Sequence, residues 1–224
     1  MTTATQTYST FDLCAAGQSP WLDQIGRQLT ESGKLRGLID EKGLLGVTSN
    51  PTIFEKAINQ KNSGYEADIR KMTRLGKSVF EIYDELTLSD IRTACDLFRK
   101  VYRDSGGEHG YVSLEVMPSL ARDTEGTVRE AVRLSRAVNR PNVMIKVPAT
   151  SEGVAAVRRL IGMGINVNAT LIFSMRHYQA VAHAYLDGLH DRLANGGDLS
   201  HVRSVASVFV SRFDSMIDKK LDGM

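Results

Sequence analysis

Short apolar runs of strand type alternate along the chain with longer stretches of helical period. The runs are SPWLD (residues 19–23), LLGVTSN (44–50), YVSLEV (111–116), NVMIKVP (142–148), GINVNATLIF (164–173) and VRSVASVFVS (202–211). Their length and β-branched content are those of strands. Between them, SEGVAAVRRLIGMG carries Val154, Val157 and Ile161 on one helical face, with Ser151 and Glu152 as its N-terminal signal. Residues 175–194 place Tyr178, Val181, Ala182, Tyr185, Leu189 and Leu193 on one stripe. Strands alternating with helices predict a parallel α/β sheet. The segment 51–110 breaks the alternation: helical period around 65–73 and 77–103 makes it a helical insert, closed by the turn cluster DSGGEHG at 104–110.

The phase of each run narrows the architecture. With Lys146 on one side of its strand, Val143, Ile145 and Val147 take the other. Glu115 likewise opposes Val112, Leu114 and Val116; Asn168 and Thr170 oppose Val167, Ala169 and Leu171. Ser207 opposes Ala206 and Val208, and Asp23 opposes Leu22. Each strand thus has an apolar face suited to helices and a second face with a polar group near its C-terminal end. An open doubly wound sheet calls for apolar residues on both faces. A closed (β/α)8 TIM barrel fits better, because such barrels collect their functional groups at the C-terminal ends of several strands. No GxGxxG follows a first strand, and GKS at Gly76–Ser78 fails as a P-loop because Lys71 stands where the first glycine is required.

Bulk properties remove several classes of function. The 28 basic and 26 acidic residues leave a net charge of +2 with no basic stripe, which argues against nucleic acid or an anionic membrane as partner. No apolar run approaches the length of a membrane span. The start, MTTATQTYST, is polar and unlike a secretory signal. Cys14 and Cys95 are too few for a disulfide framework and wrongly spaced for a metal knuckle. A cytoplasmic protein with reduced thiols is expected.

Lys146 poses the chemical question. An ammonium group inside a buried strand is costly unless paired or neutral. A neutral amine is a nucleophile that attacks carbonyls to form a Schiff base. That chemistry also needs a carboxylate to move protons, which Glu115 and Asp23 can supply, and polar groups for substrate hydroxyls, which Asn50, Asn168 and Thr170 can supply. The alternative is a Lys146–Glu115 ion pair serving structure alone. A metal-dependent aldolase would need histidine ligands, but His183 and His190 fall on the polar side of their helix, opposite Tyr178 and Tyr185. No metal and no cofactor are expected.

Five stretches, GVTSNPTIF, VSLEV, NVMIKVPAT, GINVNATLIFS and SVASVFVSRFD, resemble in order the successive signatures of the transaldolase family, over roughly residues 18–220. The helical insert before VSLEV is similar to that of the larger bacterial and plant-type members. The resemblance implies a class I aldolase-type (β/α)8 barrel that moves a dihydroxyacetone unit from a ketose phosphate to an aldose phosphate in the pentose phosphate pathway. It implies Lys146 as the Schiff-base lysine and Glu115 with Thr170 as the holders of the catalytic water. It implies Asp23 as the aspartate assisting proton transfer and C3–C4 cleavage, and Asn50 and Asn168 as binders of the dihydroxyacetone moiety. Ser207 and Arg212 match the pair gripping the substrate phosphate. Single-substrate Schiff-base aldolases, such as fructose-6-phosphate aldolase, are the nearer competitors.

The six runs account for six strands, whereas a (β/α)8 barrel typically needs about 250 residues even without an insert. Residues 1–224 are therefore read as one (β/α) barrel domain, incomplete at the C-terminus, with strands seven and eight absent. The expected partners are sugar-phosphate substrates, with a homodimer or a missing C-terminal part completing the barrel. An inactive barrel fragment acting as a binding or assembly piece is the non-enzymatic alternative.

Overall fold

The computed structural model describes residues 9–223; the polar residues 1–8, on which the reading of the N-terminus rests, lie outside the described residues. The chain forms two compact units. One is built on residues up to Glu115 together with Arg136–Val143, the other on Val116–Ser135 and Met144 onward. All six expected strands are present, each followed by a helix, as six of the β/α repeats of a (β/α)8 barrel.

In the first unit, α1 (Thr10–Ala15) precedes β1 (Trp21–Leu22), α2 (Arg27–Glu31), α3 (Lys34–Lys42) and β2 (Gly46–Thr48). Helix α4 (Pro51–Asn59) then opens the expected insert, which continues as α5 (Glu66–Arg74), α6 (Val79–Leu97) and α7 (Arg99–Asp104) and leads to β3 (Tyr111–Glu115). The predicted helix over 77–103 is thus two, joined at Phe98, whose side chain is fully buried. Strands β1, β2 and β3 are parallel, with Trp21 opposite Gly46 opposite Tyr111, and Thr48 opposite Ser113. Residues opposite one another in a parallel ladder share a face. Trp21, Gly46 and Thr48, and Tyr111, Ser113 and Glu115 therefore line one side, with Asp23 and Asn50 just beyond the ends of β1 and β2, while Val47, Val112 and Leu114 are buried on the other. The cluster DSGGEHG is a bonded turn: the Tyr111 hydroxyl donates to the Gly107 carbonyl at 2.6 Å and the Gly110 amide to that of Leu45 at 2.7 Å.

In the second unit, α8 (Thr124–Val138) begins, and β4 (Val143–Pro148), α9 (Ser151–Gly162), β5 (Val167–Ile172), α10 (Met175–Ala194), β6 (Ser204–Val208) and α11 (Val210–Leu221) follow in the chain. Strands β4, β5 and β6 are parallel, with Lys146 opposite Asn168 and Asn168 opposite Val205. Every residue of β4 is buried, as its near-continuous apolar run implies. The β5–β6 ladder shifts register between Ala169 and Ile172, where Leu171 takes a left-handed backbone at φ 62°. A leucine at positive φ is uncommon and marks a bulge.

Two helix details differ from expectation. The N-cap of α9 is Thr150, not Ser151: the Thr150 hydroxyl accepts from the Gly153 amide at 3.0 Å and donates to the Ala121 carbonyl at 2.6 Å. On α10 the buried positions are Val181, Ala184 and Gly188, whereas Tyr178 and Leu193 are 45% and 60% exposed. Close approach explains the rotated face, since a Cβ on Gly188 would stand 2.5 Å from the Arg158 carbonyl of α9. Small residues, not the bulkiest apolar ones, seat this helix. On α11, Met216, Ile217 and Leu221 are exposed.

The first unit also buries a charged cluster. Asp90 of α6 accepts a hydrogen bond from the Tyr65 hydroxyl, and Arg27 lies 3.7 Å from its other oxygen. Burial pushes the Asp90 carboxyl up to about 6, against the pull of Tyr65 and Arg27. An unperturbed aspartate titrates near 4, so the folded chain binds a proton more tightly than the unfolded one. The resulting stability is fully present below about pH 4 and is lost as pH rises through about 6. Relative to Asp90→Asn, the parent protein should therefore lose on the order of 2–3 kcal/mol of unfolding free energy between pH 4 and 7. Urea unfolding of both proteins across that range measures it; parallel curves would show that the folded chain binds the Asp90 proton no more tightly than the unfolded one.

Candidate active site

In the second unit the expected residues converge on one face. Lys146 is 6% exposed and Asn168, its ladder neighbour, 2%. The Ser207 hydroxyl donates to Asn168 Oδ1 at 2.8 Å, which fixes the flip of that amide and turns its Nδ2 donor away from β6. Thr170 follows Asn168 on the same face and is 1% exposed; its Oγ1 is buried with no hydrogen-bond partner among the described residues. An unpaired buried hydroxyl is rare and costly, which makes this position stand out on the face it shares with Lys146 and Asn168. The β4 backbone is fixed through the amide of Val116, which donates to the Lys146 carbonyl at 3.1 Å, and that of Ala149, which donates to the Thr170 carbonyl at 2.7 Å.

Arg212 lies in the first turn of α11, exposed, with its guanidinium 5.0 Å over the Phe209 ring. Phe209 in turn stacks on Phe173 at 5.6 Å, the residue just beyond the β5 bulge. The aromatic pair sets the guanidinium plane while leaving its N–H fork available. Ser207 and Arg212, expected as a pair, have separate protein contacts: Ser207 with Asn168 and Arg212 with Phe209.

In the first unit Asp23 and Asn50 line one cleft of about 460 Å³ together with Gln24, Gln28, Thr52 and Lys56. Amides, a hydroxyl, one carboxylate and two cationic residues, Arg27 and Lys56, suit a polyhydroxylated, anionic ligand. The Asn50 side chain caps α4, its Oδ1 accepting from the Ile53 amide at 2.9 Å, with Pro51 in the first helical position. That leaves Nδ2 as a donor to the cleft. Glu115 ends β3, half-buried. Its charge, after burial, is the second cause that raises the Tyr83 phenol to about 12.

Two residues of interest escaped the sequence reading. Thr48 Oγ1 is buried without a hydrogen-bond partner among the described residues, as Thr170 Oγ1 is. It stands two residues before Asn50 on the same side of β2, so strand phase alone pointed to it. Tyr83 lies on the inserted helix α6, where the sequence carries no comparable signal. No group of three His, Cys, Asp or Glu side chains among the described residues is placed to hold a metal. His177, His183 and His190 are all exposed.

Residues 20–224, a span that includes all eight site positions, match the family described as Transaldolase/Fructose-6-phosphate aldolase. Among curated proteins, a transaldolase of Trichodesmium erythraeum is 51% identical over 206 residues, covering 92% of this chain and 54% of that protein. One of Saccharopolyspora erythraea is 50% identical over 212 residues, 95% of this chain and 57% of that one. One of Arthrobacter is 47% identical over 224 residues, covering all of this chain and 59% of that protein. The chain spans a little over half the length of these curated relatives.

The double use of Asn50 is separable by mutation. Asn50→Ala removes the cap and should cost about 1 kcal/mol of stability. Asn50→Asp keeps an acceptor at the helix N-terminus and should stay within a few tenths of a kcal/mol of the parent, while also losing the amide donor. Denaturant unfolding compares them, and equal destabilisation by both would show that the cap contributes nothing.

Proposed function

The chain belongs to the transaldolase/fructose-6-phosphate aldolase family, and on that basis we propose that it works as a transaldolase. It would transfer a dihydroxyacetone unit from sedoheptulose 7-phosphate or fructose 6-phosphate to an aldose phosphate through a Schiff base on Lys146, in the pentose phosphate pathway of the cytoplasm. The observation that carries this reading is a lysine only 6% exposed, in register with an asparagine whose amide is locked by Ser207. No helix among the described residues is long and apolar enough to cross a membrane, and sugar phosphates are the partners this reading supplies.

The chemistry runs through named groups. The neutral Lys146 amine attacks the C2 carbonyl of the ketose, and the carbonyl oxygen leaves as water, protonated through Glu115 and the water it holds with Thr170. Asp23 then takes the proton of the C4 hydroxyl while the C3–C4 bond breaks. The bonding electrons flow into the iminium, and an aldehyde phosphate departs. C3 of the enamine next attacks the aldehyde carbon of the acceptor, Asp23 returns its proton, and hydrolysis frees the new ketose phosphate. Asn50 and Asn168 hold the hydroxyls of the three-carbon unit through their amide donors. Arg212 meets the phosphate with its planar fork. Ser207, whose one proton goes to Asn168, can offer it to phosphate only by releasing that amide.

Borohydride reduction in the presence of fructose 6-phosphate should leave a dihydroxyacetone adduct on Lys146, read by peptide mass spectrometry. Lys146→Ala should lose both the adduct and the transfer, and Lys146→Arg equally, because a guanidinium stays protonated and forms no imine. An adduct that persists in either variant would assign the nucleophile to another lysine.

Arg212→Ala should weaken the phosphorylated donor roughly ten- to hundredfold, the worth of a charge-assisted hydrogen bond. Trapping with unphosphorylated dihydroxyacetone should proceed as in the parent. An equal loss with both would show that Arg212 supports Phe209 and α11 without touching phosphate.

A further inference from the structure

Asp23 is the candidate site residue with the least support of its own. Its carboxylate makes no hydrogen bond or ion pair among the described residues. It follows a strand of only two residues, Trp21–Leu22. What fixes it must therefore act through the chain on its far side.

That far side is strongly anchored. Ile25 and Gly26 are buried, and a Cβ on Gly26 would stand 2.8 Å from the Cβ of Ala57. The Arg27 amide donates to the Tyr65 hydroxyl at 2.9 Å, and the same hydroxyl donates to Asp90. The Arg27 guanidinium lies 4.5 Å over the Tyr65 ring, donates to the Gly64 carbonyl at 3.0 Å and pairs with Asp68. Gln28 Nε2 donates to the Asn62 carbonyl at 2.7 Å. Tyr65, Asp68 and Asp90 all come from the insert between β2 and β3, which lies outside the strand–helix alternation. Every one of these contacts falls on residues 26–28, within five positions of Asp23.

We propose that the helical insert is a positioning device for Asp23, with the Tyr65 hydroxyl as its central contact. Tyr65 accepts from the first amide of α2 and is itself aimed by Asp90, so α6 fixes where α2 begins. The four-residue link from Asp23 to Arg27 inherits that position. A carboxylate that takes a proton from a substrate hydroxyl needs this accuracy, because a displacement of about 1 Å can cost 10²-fold in rate. The proposal rests on the reading of Asp23 as the group that assists C3–C4 cleavage; Tyr65 is a positioning residue and touches no substrate.

The test is a double-mutant cycle on the intact protein with fructose 6-phosphate as donor. Tyr65→Phe deletes the hydroxyl and keeps the ring under Arg27. It should lower kcat roughly ten- to hundredfold with KM changed by less than about threefold. With free dihydroxyacetone supplied in place of fructose 6-phosphate, borohydride trapping should stay intact, since forming that imine breaks no carbon–carbon bond. In an Asp23→Asn background the same substitution should have no further effect on kcat. Asp90→Asn retains an acceptor for the tyrosine and should stay within about twofold of the parent kcat at pH 7. An unchanged kcat in Tyr65→Phe, a loss that adds in full to that of Asp23→Asn, or an Asp90→Asn loss as large as that of Tyr65→Phe would each overturn the proposal. Parent-rate turnover by Asp23→Asn alone would instead remove Asp23 from the reaction. A slow Asp23→Asn enzyme beside a normal Tyr65→Phe enzyme would leave the function standing and sink only the positioning role.

Discussion

Burying the side chain of Lys146 is the constraint on which the second unit depends. Desolvating an ammonium costs several kcal/mol unless polar groups compensate, and β4 offers few, being buried throughout. The compensation has to come from neighbouring strands at matching height. Parallel register sets Asn168 beside Lys146, because opposite residues share a face. Ser207 then orders Asn168 from β6. A buried lysine, an orienting amide and a hydroxyl thus come from three adjacent strands of one sheet, and a register slip of one residue in any of those strands would turn its own group into the helix layer.

The first unit solves a different problem. Its strands β1 and β2 are two and three residues long, too short to define the loops that follow them. Capping and buried ion pairing do that work: Asn50 starts α4, and the Arg27–Tyr65–Asp90 cluster starts α2. A buried charged cluster is weak evidence for stability, since an apolar replacement often does as well. Its value here lies in direction, because hydrogen bonds specify where a helix begins in a way that packing alone does not.

What could be read in the sequence was what repeats. Six apolar runs bounded by turn residues correspond to all six strands, and period-two phase alone puts Lys146, Asn168 and Thr170 on one face. The insert was visible through its helical period. What failed depended on contacts between distant segments or on unusual backbone. The buried face of α10 followed Ala184 and Gly188 because α9 approaches so closely, and no hydropathy pattern marks a glycine as a packing surface. Phe98 divides α6 from α7 with neither glycine nor proline to announce it. Tyr65 and Asp90 are 25 residues apart in the chain, and nothing in the local pattern of either reveals their bond. The roles assigned to individual site residues came from resemblance; the period of the strands showed only that polar groups would meet there.

The bulge at Leu171 bears on how the β5–α10 loop can vary in length. One strand there spends a residue that its neighbour does not match, and the chain beyond is turned over as a result. Substituting Leu171 alters local strain and leaves the count unchanged. Deleting it would restore an even ladder and present the opposite face of every following residue. Phe173 would leave Phe209, and Phe209 would no longer be braced beneath the guanidinium of Arg212. The position therefore tolerates changes of side chain far better than changes of length, and an indel here amounts to a change in the aim of an arginine on another element.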